Sequence, residues 1–498
     1  MKRWAAFLAL LCLLPVGWAS LASGTTPPKE NQSPLPVIPE LPPFPNPRYE
    51  IQPLSLSQVL MKTLGASPSI VISKRQVAVR FAQRITAIET FFPSIAIGGG
   101  TMDYSGEVQG STGQFSNVTK QNSQLSHGLF LSVNPLSSSF QTLIATTNLD
   151  SARSFLSETE NQKMAQGASL YFRTSASYSR IAVYREAVRI SRKILDEERR
   201  LVELGGASVV GILRAAHEVA RNTRFMVQEE NRAYRLSFRL AQLLGESPPI
   251  LPTPRESFLF PRLYLDDQEN LRHLLALADR KRPLLAGVRQ QVEARRQAFQ
   301  NVLFGPAFPT LSAGILNGSL GPDFTSLVGM NQAITMAFWN IGPGGLLDPG
   351  GILLARKNVR LQEARLSRQR FIVHRQVSDS FESLRKTRQE EEVALEDVRL
   401  AKLTFDATQI RVQLGLFHAL ELIISLRDLI NAQLRYIDIV EEFEASQFRL
   451  MAAIGVRPDF IAVNNYPGVS GLTGPVEPKS RTGKQEGGGG STKGRPSP

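Results

Sequence analysis

The sequence predicts a mainly helical protein that carries membrane-type β-strands and is built from one half used twice. Three observations predict it. Matching residues recur in one order along both halves, apolar residues recur every seven positions in the closing helices, and four segments alternate with β periodicity. Each predicted half runs helix, strand, strand, long helix, helix.

The chain opens on Met1-Lys2-Arg3, an apolar run from Trp4 to Leu14 and small residues from Ala19 to Ser23. That order predicts a secretory signal peptide over residues 1–22, cut after Ala19 or Ala22. The single cysteine, Cys12, falls inside it, so the processed chain is expected to hold no disulfide and no thiol chemistry. Residues 23–53 read as a spacer, because ten prolines crowd residues 27–53 and favour extended backbone. Residues 457–498 read as a disordered basic tail of Gly, Ser, Pro and Lys/Arg. The formal charge of +13 draws on both ends, through Lys2, Arg3 and the five Lys/Arg beyond residue 478. The body is only mildly basic, which argues against nucleic acid as a partner. Between the ends lie a first repeat, 54–245, a linker, 246–265, and a second repeat, 266–456. No segment beyond the leader offers the ~20 apolar residues of a membrane-spanning helix.

The duplication is read from five matches. Ser237-Phe238-Arg239-Leu240 with Leu243-Leu244-Gly245 corresponds to Gln447-Phe448-Arg449-Leu450 with Ala453-Ile454-Gly455, and Leu204-Gly205 to Leu414-Gly415. Upstream, Pro68 pairs with Pro283, Pro93-Ser94-Ile95 with Pro309-Thr310-Leu311, and Val133-Asn134-Pro135 with Ile341-Gly342-Pro343. The last helix of each half carries a heptad ladder: Ile212, Val219, Met226, Ala233, Leu240, and Leu422, Leu429, Tyr436, Phe443, Leu450. The preceding helices carry Ile181, Val188, Leu195, Val202 and Val398, Phe405, Val412. Such a period describes helices supercoiled on neighbours. Arg192, Asp196 and Arg200 mark a solvated face, and acidic residues on the helices are expected to serve surface solvation. The proline-free stretches 137–204 and 351–414 predict rods of roughly 100 Å at 1.5 Å per residue.

Extended segments are predicted at about 93–103, 124–134, 308–318 and 331–341, joined by polar loops at 104–123 and 319–330. Leu129, Leu131 and Val133 share one face, as do Ala333, Thr335, Ala337, Trp339 and Ile341. Their length suits strands that span a bilayer. Four strands cannot close a barrel, and open edges are not tolerated in lipid, so several chains would have to share one barrel.

These features together resemble the TolC-like outer-membrane efflux proteins over about residues 54–456. The marks are the duplicated half, the strands opened by Pro93 and Pro309, and Trp339-Asn340-Ile341-Gly342-Pro343-Gly344-Gly345. The glycine turns at Gly205 and Gly415 complete them. The resemblance implies a homotrimer in which a twelve-stranded β-barrel continues into an α-helical coiled-coil tunnel. It implies an outer-membrane location with a large periplasmic portion, a periplasmic adaptor (membrane fusion) protein and an inner-membrane pump of RND or ABC type. Carried over residue by residue, it assigns adaptor docking to Leu204, Gly205 and Gly206 and to Leu414, Gly415 and Leu416. It also points to a pore constriction at Glu421, with Gly211 where the first half would carry the matching acid. Ile424 stands where a second acid is frequent, so Leu420 and Ile424 offer a hydrophobic constriction instead.

Enzyme chemistry has no footing in the residues. The five histidines lack helical zinc spacing, Gly98-Gly99-Gly100 fails the dinucleotide pattern, and no phosphate loop or nucleophile elbow occurs. No cofactor or metal is expected. The function expected is conduction of small molecules for a tripartite efflux system. The alternatives are the exit duct of a type I polypeptide secretion system and a structural coiled-coil envelope protein without a channel.

Overall fold

A computed structural model describes residues 44–45, 48–206, 208–256, 259, 261–264, 270–414 and 419–457. The predicted leader, most of the predicted spacer, the tail beyond residue 457, and Gly415 and Leu416 lie outside the described residues. The first half runs β1 (Glu50–Leu54), α1 (Leu56–Ala66), α2 (Pro68–Glu89), β2 (Ser94–Gln109), β3 (Phe115–Val133), α3 (Pro135–Glu203) and α4 (Val209–Leu244). The second runs β4 (Ile250–Pro254), α5 (Leu271–Lys281), α6 (Pro283–Phe304), β5 (Thr310–Gly321), β6 (Val328–Phe338), α7 (Pro349–Gln413) and α8 (Ala419–Ile454). Each half thus adds a short strand and a short helix in front of the predicted five elements.

The helices begin where the local chemistry dictates. Ser55 and Gln58 form a capping box at α1. Proline opens α2, α3, α6 and α7, where its missing N–H costs nothing. Asn134 caps α3 by accepting from Ser137 N, and Asp348 caps α7 by accepting from Gly351 N. The structural partner of Pro135 is therefore Pro349, whereas the sequence comparison paired it with Pro343. Gly342 and Gly344 hold positive φ, and Gly345 N bonds to Gly342 O. These turns delay the helix by six residues. Trp339 and Ile341 accordingly lie past the end of β6 rather than on its face.

α3 and α7, of 69 and 65 residues, are the two rods. Near the strands the layer order is α2, α3, α6, α7; farther along, α4 and α8 replace α2 and α6. Close approach explains Gly287 on α6: a Cβ there would stand 2.8 Å from the Phe155 ring, and Ser151 Oγ donates to Gly287 O at 2.9 Å. Both closing ladders point inward, with Ile212, Val219, Ala233, Leu240, Leu422, Leu429, Phe443 and Leu450 all buried. Halfway along α3, Leu54, Val59, Leu60, Met164, Tyr171, Leu240 and Phe448 form one core, and Leu274, Leu285, Val373, Val377 and Phe443 belong to a second.

Several acidic side chains depart from the expected surface role. Glu158, Glu198, Glu218 and Glu444 are buried. Glu158 receives the Arg282 guanidinium at 3.0 Å, and Glu218 receives Arg427 at 2.6 Å and Arg221 at 2.7 Å. Arg180, also buried, joins α3 to Asp438 and Glu441 of α8. Pairing lets charge enter the interior, and the sequence holds no local mark of partners 124 to 258 residues away.

The loop predicted over 104–123 is mostly strand. β2 and β3 pair from Ser94↔Phe130 to Gln109↔Phe115, leaving a tight connection around Gly110 and Gly113. Phe115, Val118, Tyr104 and Val108 keep the pairing attractive despite the Ser/Asn-rich composition. The end of the predicted spacer is also structured. β1 pairs in parallel with β4, Glu50↔Ile250 to Leu54↔Pro254, and Tyr49 packs on Tyr234 and Phe238 with centroids 5.5 and 5.6 Å apart.

Candidate functional site

Two surfaces stand out: a four-strand wall at one end of the helical layer and the helix turns at the other. The wall is one antiparallel sheet in the order β2-β3-β5-β6, open at both edges. Its register aligns Ile95, Leu129, Ile315 and Ala333 in one row across all four strands. Ile95 is 77 % exposed, Leu129 53 % and Ile315 72 %, so the row forms a contiguous exposed apolar strip. The opposite face carries polar cross-strand contacts, Ser132 to Ser312 at 3.1 Å and Gln124 to Gln332 at 3.5 Å. One face thus presents an exposed apolar row, and the other mixes these polar contacts with the exposed Met102, Tyr104, Met336 and Phe338.

At the far end, α3 closes on Leu204, and Gly205 adopts φ +76°. Gly205 N bonds to Val202 O at 3.0 Å and Gly206 N to Leu201 O at 2.8 Å, the paired bonds of a Schellman cap. A Cβ at Gly205 would meet open space, so its glycine is required by the backbone and leaves the turn bare. Ser208 then caps α4 by accepting from Val210 N. Leu414 repeats the dihedrals of Leu204 at the end of α7, and its N–H bonds to Ile410 O. Leu204, Val209, Val210, Leu213 and Leu414 are all exposed, so an apolar surface surrounds the turns.

The predicted constriction residues sit on the first turns of α8. Leu420 and Ile424 are exposed and one turn apart, while Glu421 is half-buried. Glu421 Oε2 is shielded and has no hydrogen-bond partner among the described residues. Sequence reasoning missed what stands at Gly211. The Glu198 carboxylate of α3 occupies that seat, its Oε2 2.0 Å from where a Cβ would lie. A carboxylate thus reaches this level from the neighbouring helix, and no spacing rule within α4 could reveal it. Glu218, further along α4, ties α4 to α8 through Arg427 Nε and Nη2 at 2.9 and 2.6 Å.

No helix among the described residues is long and apolar enough to cross a membrane. No cluster of His, Cys, Asp or Glu among them could hold a metal ion. No family model and no curated protein sequence matches the chain. Solved structures do. The outer-membrane protein VceC of Vibrio cholerae superposes with a TM-score of 0.65 at 14% identity, covering 80% of this chain and 96% of VceC. CusC, reported in connection with transmembrane channel formation, gives 0.66 at 14% identity over 84% of this chain and 99% of its own. The CmeC outer membrane channel of Campylobacter jejuni gives 0.66 at 11% identity over 80% and 85%. The architecture is that of outer-membrane channel proteins. This chain has the TolC-like outer-membrane-factor fold.

Proposed function

We propose that three copies of this chain close into an outer-membrane channel that conducts small molecules. β2, β3, β5 and β6 of each copy supply a third of a twelve-stranded barrel, and the long helices supply the wall of a periplasmic tunnel. The observation that carries the reading is that sheet and helical layer are open at the same two flanks. β2 and β6 leave backbone edges unpaired among the described residues, a state that hydrocarbon does not tolerate. α2, which leads into β2, buries only Ile70, and α7, which follows β6, leaves Leu353, Phe371, Leu400 and Ile410 bare. A further copy of the chain answers both needs at once.

Residues 1–22 act in this reading as the export leader. The turns around Leu204, Gly205 and Gly206 and around Leu414, Gly415 and Leu416 receive the helical hairpins of a periplasmic adaptor that leads to an inner-membrane pump. Exposed apolar side chains around a bare glycine turn support that assignment. Leu420, Glu421 and Ile424 narrow the passage beside it.

Outer-membrane fractions of the producing cell, run with and without heating, test the proposal. A heat-dissociable trimer is expected, and deletion of the gene is expected to raise susceptibility to small toxic compounds. Monomer recovered in the soluble periplasm would overturn it. In the same strain Gly415→Trp should leave trimers intact and abolish resistance; normal resistance would remove the docking claim.

A further inference from the structure

A cavity of about 940 Å³ opens midway along α3, where α2 and α6 begin and α4 and α8 end. Among the described residues, five cationic side chains line it, Lys163, Arg173, Arg239, Arg282 and Arg449, and no carboxylate does. Three of the five are already paired: Arg173 with Glu441 at 3.5 Å, Arg282 with Glu158 at 3.0 Å, and Arg449 with Glu442. Lys163 donates only to the neutral Gln166 Oε1 at 2.9 Å, and Arg239 has no ion-pair partner among the described residues. Two positive charges, on the half-buried Lys163 and the exposed Arg239, therefore border this space with no carboxylate partner among the described residues.

The duplicated halves show what such a place accepts. α6 begins with Arg282 as cap and Pro283, and a protein anion sits on its N-terminus. Glu158 Oε2 accepts from Leu284 N at 3.3 Å while Oε1 holds the Arg282 guanidinium. α2 begins in the same way, with Ser67 as cap and Pro68, and has no side-chain cap. Ser67 lines the cavity and is only 1% exposed, yet its Oγ has no hydrogen-bond partner among the described residues. An unpaired buried hydroxyl is costly, and a helix N-terminus favours negative charge. Arg449 lines the same space, and its buried Nε has no hydrogen-bond partner among the described residues.

We infer that this cavity is a binding site for a phosphate-headed small anion, which supplies in the first repeat the negative charge that Glu158 supplies in the second. The head lies against Ser67 and the start of α2, between Lys163 and Arg239. Leu170, Leu243 and Ala452 offer an apolar wall to an organic body, and the volume falls within the ~300–1,000 Å³ of small-molecule pockets. The head group could come from a free phosphate compound or from a lipid.

Calorimetric titration of the purified full-length protein with inorganic pyrophosphate, in neutral detergent at low salt, tests the site. Saturable binding is expected, weakening as salt rises. Arg239→Gln and Lys163→Gln should each weaken it about tenfold, Lys163→Arg should retain it, and Arg153→Gln, remote from the cavity, should leave it unchanged. Arg239 is exposed on α4, so its variant is expected to keep wild-type helicity by circular dichroism. A short-chain phosphatidic acid that binds more tightly than pyrophosphate assigns the head to lipid; the reverse order assigns it to a free anion. Absence of saturable heat with both probes, or wild-type affinity in Arg239→Gln, overturns the site. The readout is binding to the chain itself, so a failed efflux assay would leave it standing.

Discussion

Glu444 illustrates how much of this protein is decided at single residues. Its side chain is fully buried on α8, where Oε1 accepts from Arg262 N at 2.7 Å. Burial pushes its carboxyl up to about 8, against the opposing pull of that hydrogen bond and the Arg262 charge. In the folded chain the group stays protonated across a range in which the unfolded chain has already ionised. Its contribution to stability is therefore complete below the usual carboxylate range and is lost as pH rises towards about 8. The melting temperature should fall between pH 5 and 8, and Glu444→Gln should flatten that slope. An unchanged slope in the variant would remove Glu444 as its source. None of this was legible in the sequence, which presents Glu444 as one acid among many on an amphipathic helix. Its environment is made by Arg262 and Tyr264, which arrive from the connection between the repeats.

Elements were more legible than sites. A seven-residue apolar period states which face of a helix is buried, and the ladders on α4 and α8 are buried apart from the half-buried Met226 and Tyr436. Strand ends were less so, because Ser, Asn and Thr between Gly106 and Gln124 look like a loop and pair like a strand. The register of the wall makes its two faces distinguishable by experiment. Ile315→Arg, on the exposed apolar row, should cost about 2–4 kcal/mol of stability in lipid if it lies near mid-membrane. Gln332→Arg, at the polar Gln124–Gln332 contact on the opposite face, should cost little. Urea titrations of both variants in vesicles separate the cases, and equal losses would show that the faces do not differ. The helix turns follow the same pattern. Leu204-Gly205 could be recognised as a cap, but the seat that Glu198 takes at Gly211 depends on how α3 and α4 cross.

At the scale of the molecule, the proposed trimer would cover the exposed outer helices. Phe371 on α7 is 72 % exposed in the single chain. Phe371→Glu should leave helicity intact and lower the yield of heat-dissociable trimer severalfold; undiminished trimer would place the contact elsewhere. By itself the sequence determined the duplication, the rods, the strand pairs and the inward ladders. Each is written in a period that a single element must satisfy alone. Tertiary structure decided the parallel β1–β4 pair, the buried ion pairs of Glu158 and Glu218, the alignment of Pro135 with Pro349 and the cationic cavity. Those depend on which of two similar halves packs where. The halves share their periodicities, and contacts between residues 124 to 209 positions apart leave no periodic trace in either.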